Sequence, residues 1–267
     1  MAFYDKSDTD LRKTGTFVED KTRAAKLGSI HQRAGPGKRI PTGIPGFDNM
    51  VEGGFKENSI VLIEGGAGTG KSIFCTQYLI NGIEHYKEHG IYISFEEEKE
   101  EFFENMKRFG WDLQKYEDEK KFTYLRYQPE QVEKVLSAGG GIIRDAVDSI
   151  GAKRLIIDSI TAFTLLHDDE LSKREAVLTL FRIMKKWGCT SLVIGQPELL
   201  GDDANHPFNI LEFECDGVVR LYNRMEHNIR QRTLEVLKMR GTKHAEKMFT
   251  MEIAKEGIIA FPDAANS

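Results

Sequence analysis

Cysteine is scarce in this chain: three in 267 residues, Cys75, Cys189 and Cys215. They lie far apart, form no C-x-x-C pair, and no stretch reads as a secretory leader. That spacing suits buried free thiols in a reducing cytoplasm better than a disulfide framework or a zinc site. Long apolar runs are missing as well. Nothing approaches the ~18 consecutive apolar residues of a spanning helix, so no membrane insertion is expected. Nor is positive charge in excess. Lys and Arg number 37 against 42 Asp and Glu, a formal charge of −5. No global basic field therefore recruits nucleic acid or anionic lipid. What remains is length enough for one large α/β domain with a real core.

Large apolar residues are also thin on the ground before the breaker cluster Ala34-Gly35-Pro36-Gly37. Residues 1–37 mix charge, Thr and Gly without sustained periodicity. They read as a flexible or loosely docked tail, with a partner-binding arm or a strap onto a neighbouring subunit as the alternative. The domain is expected over 38–263, followed by a short tail at 264–267.

The richest feature is Gly65-Gly66-Ala67-Gly68-Thr69-Gly70-Lys71-Ser72, a G-x-x-x-x-G-K-S directly after the apolar run Ser59–Glu64. The order strand, glycine turn, helix is that of a phosphate-binding loop. Its backbone N–H groups can curl around the β-phosphate of a nucleotide. Lys71 is then expected to reach the β- and γ-phosphates and Ser72 to hold Mg²⁺, with Ile73 opening a helix whose positive end faces the anion. This predicts binding of a nucleoside triphosphate.

Beyond Arg39 short apolar runs alternate with amphipathic ones. Strands are predicted at 60–64, 91–95, 122–127, 155–158 and 191–195, and helices at 71–87, 100–109, roughly 131–150 and 172–187. In the last helix Val177, Leu180, Phe181, Met184 and Trp187 share one face. The run Gly139-Gly140-Gly141 interrupts its predecessor, which then reads as a loop and a shorter helix. Such alternation predicts a largely parallel sheet flanked by helices. After Pro207, strand-like segments at 217–222, 232–239, 247–253 and 258–261 read as antiparallel additions at one edge.

Reactive groups of an open α/β sheet gather at the carboxyl ends of its strands. Asp158 ends one apolar run and is the candidate second acid near Mg²⁺. Glu96 and Glu97 follow another; they either activate the attacking water or form the solvated first turn of a helix. Gln196 ends a third, as a γ-phosphate sensor or a plain polar residue. Lys238 and Arg240, one residue apart on a late strand, point the same way. They are either surface charges or contacts to an adjacent subunit's nucleotide.

Together these motifs resemble the KaiC-like ATPases, within the RecA-type branch of P-loop proteins. The likeness runs from Arg39-Ile40-Pro41-Thr42-Gly43-Ile44-Pro45-Gly46-Phe47-Asp48 and Glu52-Gly53-Gly54-Phe55 through the P-loop and Ser94-Phe95-Glu96-Glu97. It continues over Arg108-Phe109-Gly110-Trp111-Asp112 and Ile157-Asp158-Ser159 to 232–242 and 257–262. The resemblance implies ATP held between subunits of a ring, commonly a hexamer. It also implies Glu96 as base with Glu97 assisting, and Lys238 and Arg240 reaching the neighbour's γ-phosphate, with His244 in the turn beyond. The family's clock member has two such domains in tandem; this chain has one. The segment Leu211–Asp216 lacks the adjacent Ser and Thr of the autokinase domain and is similar to the ATPase-type domain instead. Autophosphorylation there is excluded.

The expected function is thus an oligomeric, Mg²⁺-dependent ATPase whose nucleotide state is read by a protein partner. One alternative is a recombination or repair ATPase. The loop 197–209 counts against it, carrying Glu198, Asp202 and Asp203 but no Lys or Arg. The other alternative is an ATP-binding scaffold with little hydrolysis.

Overall fold

The computed structural model describes residues 37–128, 130–131, 134–135, 139–196, 210–226 and 228–262. The tails expected at 1–37 and 264–267, Gly37 aside, and the loop 197–209 lie outside these residues.

A small antiparallel ribbon comes first: β1 (Arg39–Ile40) pairs with β2 (Phe55–Lys56). The main sheet has nine strands. These are β3 (Ile60–Gly65), β4 (Gly90–Ser94), β5 (Phe122–Arg126), β6 (Arg154–Asp158), β7 (Thr190–Gly195), β8 (Gly217–Glu226), β9 (Ile229–Met239), β10 (Phe249–Ala254) and β11 (Gly257–Phe261). They lie in the order β11-β10-β9-β8-β3-β7-β6-β4-β5. The strands from β8 to β5 are all parallel, whereas β9, β10 and β11 each pair antiparallel. One sequence expectation is corrected here. The first of the late strands, β8, does not begin the antiparallel edge but lies parallel beside β3.

Helices fill the crossovers: α1 (Lys71–Asn81), α2 (Lys99–Lys107), α3 (Leu113–Asp118), α4 (Gly141–Ile150), α5 (Ile160–Thr164), α6 (Glu170–Trp187) and α7 (Ile210–Glu214). The strand side chains alternate between two cores, as a sheet buried on both faces requires. Val61, Ile63, Tyr92 and Ile156 pack with Phe74, Tyr78 and Phe102 of α1 and α2. Leu62, Ile93, Leu155 and Ile157 pack with Ile143, Val177, Leu180 and Met184 of α4 and α6. All three cysteines are free and buried. Among the described residues no helix is long and apolar enough to cross a membrane.

The helix expected over 71–87 is α-helical only to Asn81 and continues as a π-helical turn, Gly82–Tyr86. Beneath that change lies the fully buried Arg154. It donates to Tyr78 O at 2.6 Å and Pro41 O at 3.0 Å and pairs with Glu88 at 2.7 Å. The Arg154 guanidinium thus shares the Tyr78 carbonyl with the N–H of Gly82, where the chain passes from α- to π-helical bonding. The glycine run at 139–141 does shorten the next helix. Gly140 caps α4 in a left-handed conformation.

Candidate active site

The buried strand β3 delivers the glycine loop to the carboxyl edge of the sheet. Gly65 is required there, because a Cβ would stand 2.5 Å from Leu221 O and 2.7 Å from Thr69 Oγ1. Gly70 adopts φ of +103°, a conformation L side chains rarely take. No side chain among the described residues caps the first turn of α1. Its early backbone N–H groups therefore open toward the loop, the arrangement that receives an anion. Thr69 Oγ1 donates to Gly66 O at 2.9 Å, bracing the turn. The Lys71 ammonium donates to Gly65 O at 2.7 Å and Gly66 O at 2.9 Å.

Three neighbouring strand ends complete one pocket, lined by Lys71, Ser72, Ser94, Glu96, Glu97, Asp158, Ser159, Ile194 and Gln196. Asp158, at the end of β6, accepts from Ser72 Oγ at 3.1 Å and from Tyr92 Oη. Burial pushes its carboxyl pKa up, against the pull of those two bonds and of Lys71. Burial likewise pushes the Lys71 pKa down, opposed by the charge of Asp158. Both directions have one origin, two ions that water does not fully reach. Ser72 Oγ and the Asp158 carboxylate are hard oxygen donors side by side, the kind of set that suits Mg²⁺ with phosphate oxygens.

The acidic run after β4 separates into distinct roles. Glu96 is exposed on the pocket rim, and its Oε1 accepts from Ser159 Oγ at 2.7 Å. Glu97 is half-buried and accepts from Asn105 Nδ2 of α2 at 2.9 Å; burial raises its pKa. Ser94 Oγ takes the backbone N–H groups of both. Glu98 instead faces outward to Arg126 at 2.9 Å. Gln196 lines the pocket, with its backbone N–H on Thr161 Oγ1 at 2.9 Å.

Lys238 and Arg240 are not brought to this pocket. Met239 pairs with Gly217, and Gly217 with Val61, whereas the loop begins at Gly65. At ~3.3 Å per residue the two cations sit roughly 13 Å down the sheet, at its amino edge. Both dock on the end of α7. The Lys238 ammonium donates to Glu212 O and Phe213 O at 2.9 Å and to Cys215 O at 2.8 Å. Arg240 donates to Phe213 O at 2.8 Å. His244 lies in the turn beyond, its Nδ1 3.1 Å from Ala245 O.

A family model described as "ATPase: KaiC" matches residues 40–265. The chain belongs to the KaiC ATPase family. A UPF0273 protein of Methanocaldococcus jannaschii is 36% identical over 243 residues, covering 85% of this chain and 97% of that protein. The circadian clock oscillator protein KaiC of Prochlorococcus marinus is 37% identical over 231 residues, 84% of this chain but 45% of its own length. The chain thus corresponds to less than half of that clock protein. Among solved structures, a KaiC-like protein from Pyrococcus horikoshii is 35% identical with a TM-score of 0.74, covering 85% of this chain and 100% of its own. The KaiC-type, RecA-like fold expected from the motifs is the fold observed.

Sequence reading did not find Tyr92, Ser159 or Asn105, which hold Asp158, Glu96 and Glu97. Ser159 stood inside a quoted motif, and its position after the strand-ending acid was an available signal. Nothing local marks Tyr92 or Asn105.

Proposed function

We propose that this chain is a Mg²⁺-dependent ATPase, ATP plus water giving ADP and phosphate, in which nucleotide sits between subunits of a ring. A hexamer is the expected ring, and a protein partner reads the nucleotide state. The observation that carries this reading is the convergence of Lys71, Ser72, Glu96 and Asp158 on one pocket beside a glycine loop. The backbone from Gly65 through Gly66, Ala67, Gly68, Thr69 and Gly70 to Ile73 cradles the phosphates, and Lys71 exchanges its loop carbonyls for phosphate oxygens. Ser72 and Asp158 are the residues that hold Mg²⁺, which when bound neutralises charge on the β- and γ-phosphates. Glu96 orients the attacking water and takes its proton, its carboxylate steadied by Ser159; Glu97 assists from its seat on Asn105. Lys238 and Arg240, far from their own chain's phosphates, serve a neighbour's γ-phosphate as charge-stabilising fingers. The buried thiols fit a cytoplasmic setting.

Steady-state turnover by the purified protein, with and without single-stranded DNA, tests this. Lys71→Ala is expected to lose ATP binding, and Glu96→Gln to bind ATP yet scarcely hydrolyse it. Wild-type turnover in Glu96→Gln would sink the base assignment. Strong stimulation by DNA would replace the protein-partner reading with a recombinase-like one.

A further inference from the structure

The segments Arg39–Asp48 and Glu52–Phe55 lie outside the pocket, yet they converge on the turn that follows Arg240. Arg39 stands on β1, its side chain only 10% exposed. One of its guanidinium nitrogens donates to Thr242 Oγ1 at 2.6 Å; the other pairs with Glu52 at 2.8 Å and reaches Gly241 O at 3.4 Å. A backbone bond from Ala245 N to Met50 O at 3.0 Å continues the same junction. The sequence builds this grip locally. The Asp48 carboxylate accepts from the N–H of Thr42 at 2.8 Å and of Gly43 at 3.0 Å, fixing the turn after β1. Gly54 lets the return strand pass so close that a Cβ there would stand 2.3 Å from Ile40 O. That close approach puts Glu52 within reach of Arg39.

The other end of the same turn is pinned separately. Arg240 N donates to Asp216 O at 2.7 Å, and Thr242 N to Met239 O at 3.2 Å. The side chains of Lys238 and Arg240 rest on α7 and the backbone of Arg240 on Asp216, while Arg39 holds the turn that follows at once. A planar guanidinium spreads its donors over separate nitrogens in a fixed fork and so spans Thr242, Gly241 and Glu52 at once; an ammonium gathers its donors on one atom.

We propose that Arg39 is a positioning residue for hydrolysis at the neighbouring subunit's nucleotide: with Glu52 it clasps the Gly241-Thr242 turn, the far anchor of the segment that carries Lys238 and Arg240. This rests on the trans reading of those two cations. Displacing such a group by an ångström weakens its action on the transition state far more than it weakens ATP binding to a P-loop on another chain.

The test measures ATP turnover against ATP concentration for wild type, Arg39→Lys, Thr242→Val and Arg240→Ala, each checked for folding by circular dichroism. It adds rings assembled from equal parts Arg39→Lys and Lys71→Ala. Arg39→Lys is expected to lower kcat roughly tenfold with KM within about twofold, and Thr242→Val to lower it less. In mixed rings, Lys71→Ala subunits offer an intact clasp to the working P-loops of Arg39→Lys, so turnover should exceed the sum of the two parents. A clasp that merely stabilises its own subunit gives no such rescue. Wild-type kcat in Arg39→Lys, or mixed rings no faster than that sum, overturns the proposal. Should Arg39→Lys fail to fold, Thr242→Val mixed with Lys71→Ala carries the same comparison. If Arg240→Ala itself turns over at the wild-type rate, the trans reading falls and the clasp with it. An impaired Arg240→Ala beside an unimpaired Arg39→Lys removes the clasp alone.

Discussion

Asp158 ends a buried strand with a carboxylate whose pKa burial raises, even though Tyr92 and Ser72 both donate to it. Its pKa when folded is higher than when unfolded, so the fold favours the protonated acid. Wild-type stability is therefore fullest below the unfolded value and declines as pH rises through the folded one. Asp158→Asn removes that titration and leaves an amide oxygen for the same donors. In ligand-free thermal melts the variant should gain on wild type as pH climbs from about 4 to about 8, while losing Mg²⁺-dependent nucleotide binding. A constant difference across that range would show that the carboxylate carries no such penalty. Glu97 is shifted the same way and for the same first cause.

Elements divide sharply into those that the sequence announces and those that it hides. The parallel strands were legible because a strand covered on both faces is a continuous apolar run, and each predicted one was found within a residue or two. So were Glu96, Glu97, Asp158 and Gln196, the strand-end candidates that meet in the pocket. Helix α6 was legible for its long apolar stripe. Leu180, 1% exposed within that stripe, should cost about 2–5 kcal/mol of stability when changed to Ala, measured by urea denaturation. The short helices α3, α5 and α7 escaped because five or six residues complete too few turns to show a period. The direction of β8 escaped for a different reason. An apolar strand looks alike read either way, and its parallel pairing with β3 is decided by which edge of the sheet is open. The roles of Arg39 and Lys238 depend on contacts 203 and some two dozen residues away in the chain, beyond any local pattern.

At the scale of the whole molecule, the parallel strands bring the pocket residues to one edge and leave Lys238 and Arg240 at the other. If that pocket takes nucleotide as proposed, saturating MgATP should raise the melting temperature of wild type and leave Lys71→Ala unmoved. An equal rise in both would place the bound nucleotide elsewhere. The same topology has a cost during synthesis. Of the six parallel strands, β3 is made first, and its two neighbours, β7 and β8, are made last. Until residues 190–195 have left the ribosome, Ile60-Val61-Leu62-Ile63 has no permanent partner on either side, and its second side stays open until β8 follows. It is an unpaired apolar edge of the kind that nucleates aggregation. The strand that ends at the phosphate loop is thus the one a nascent chain must shield longest, and truncated translation products ending after β6 are natural clients for a chaperone.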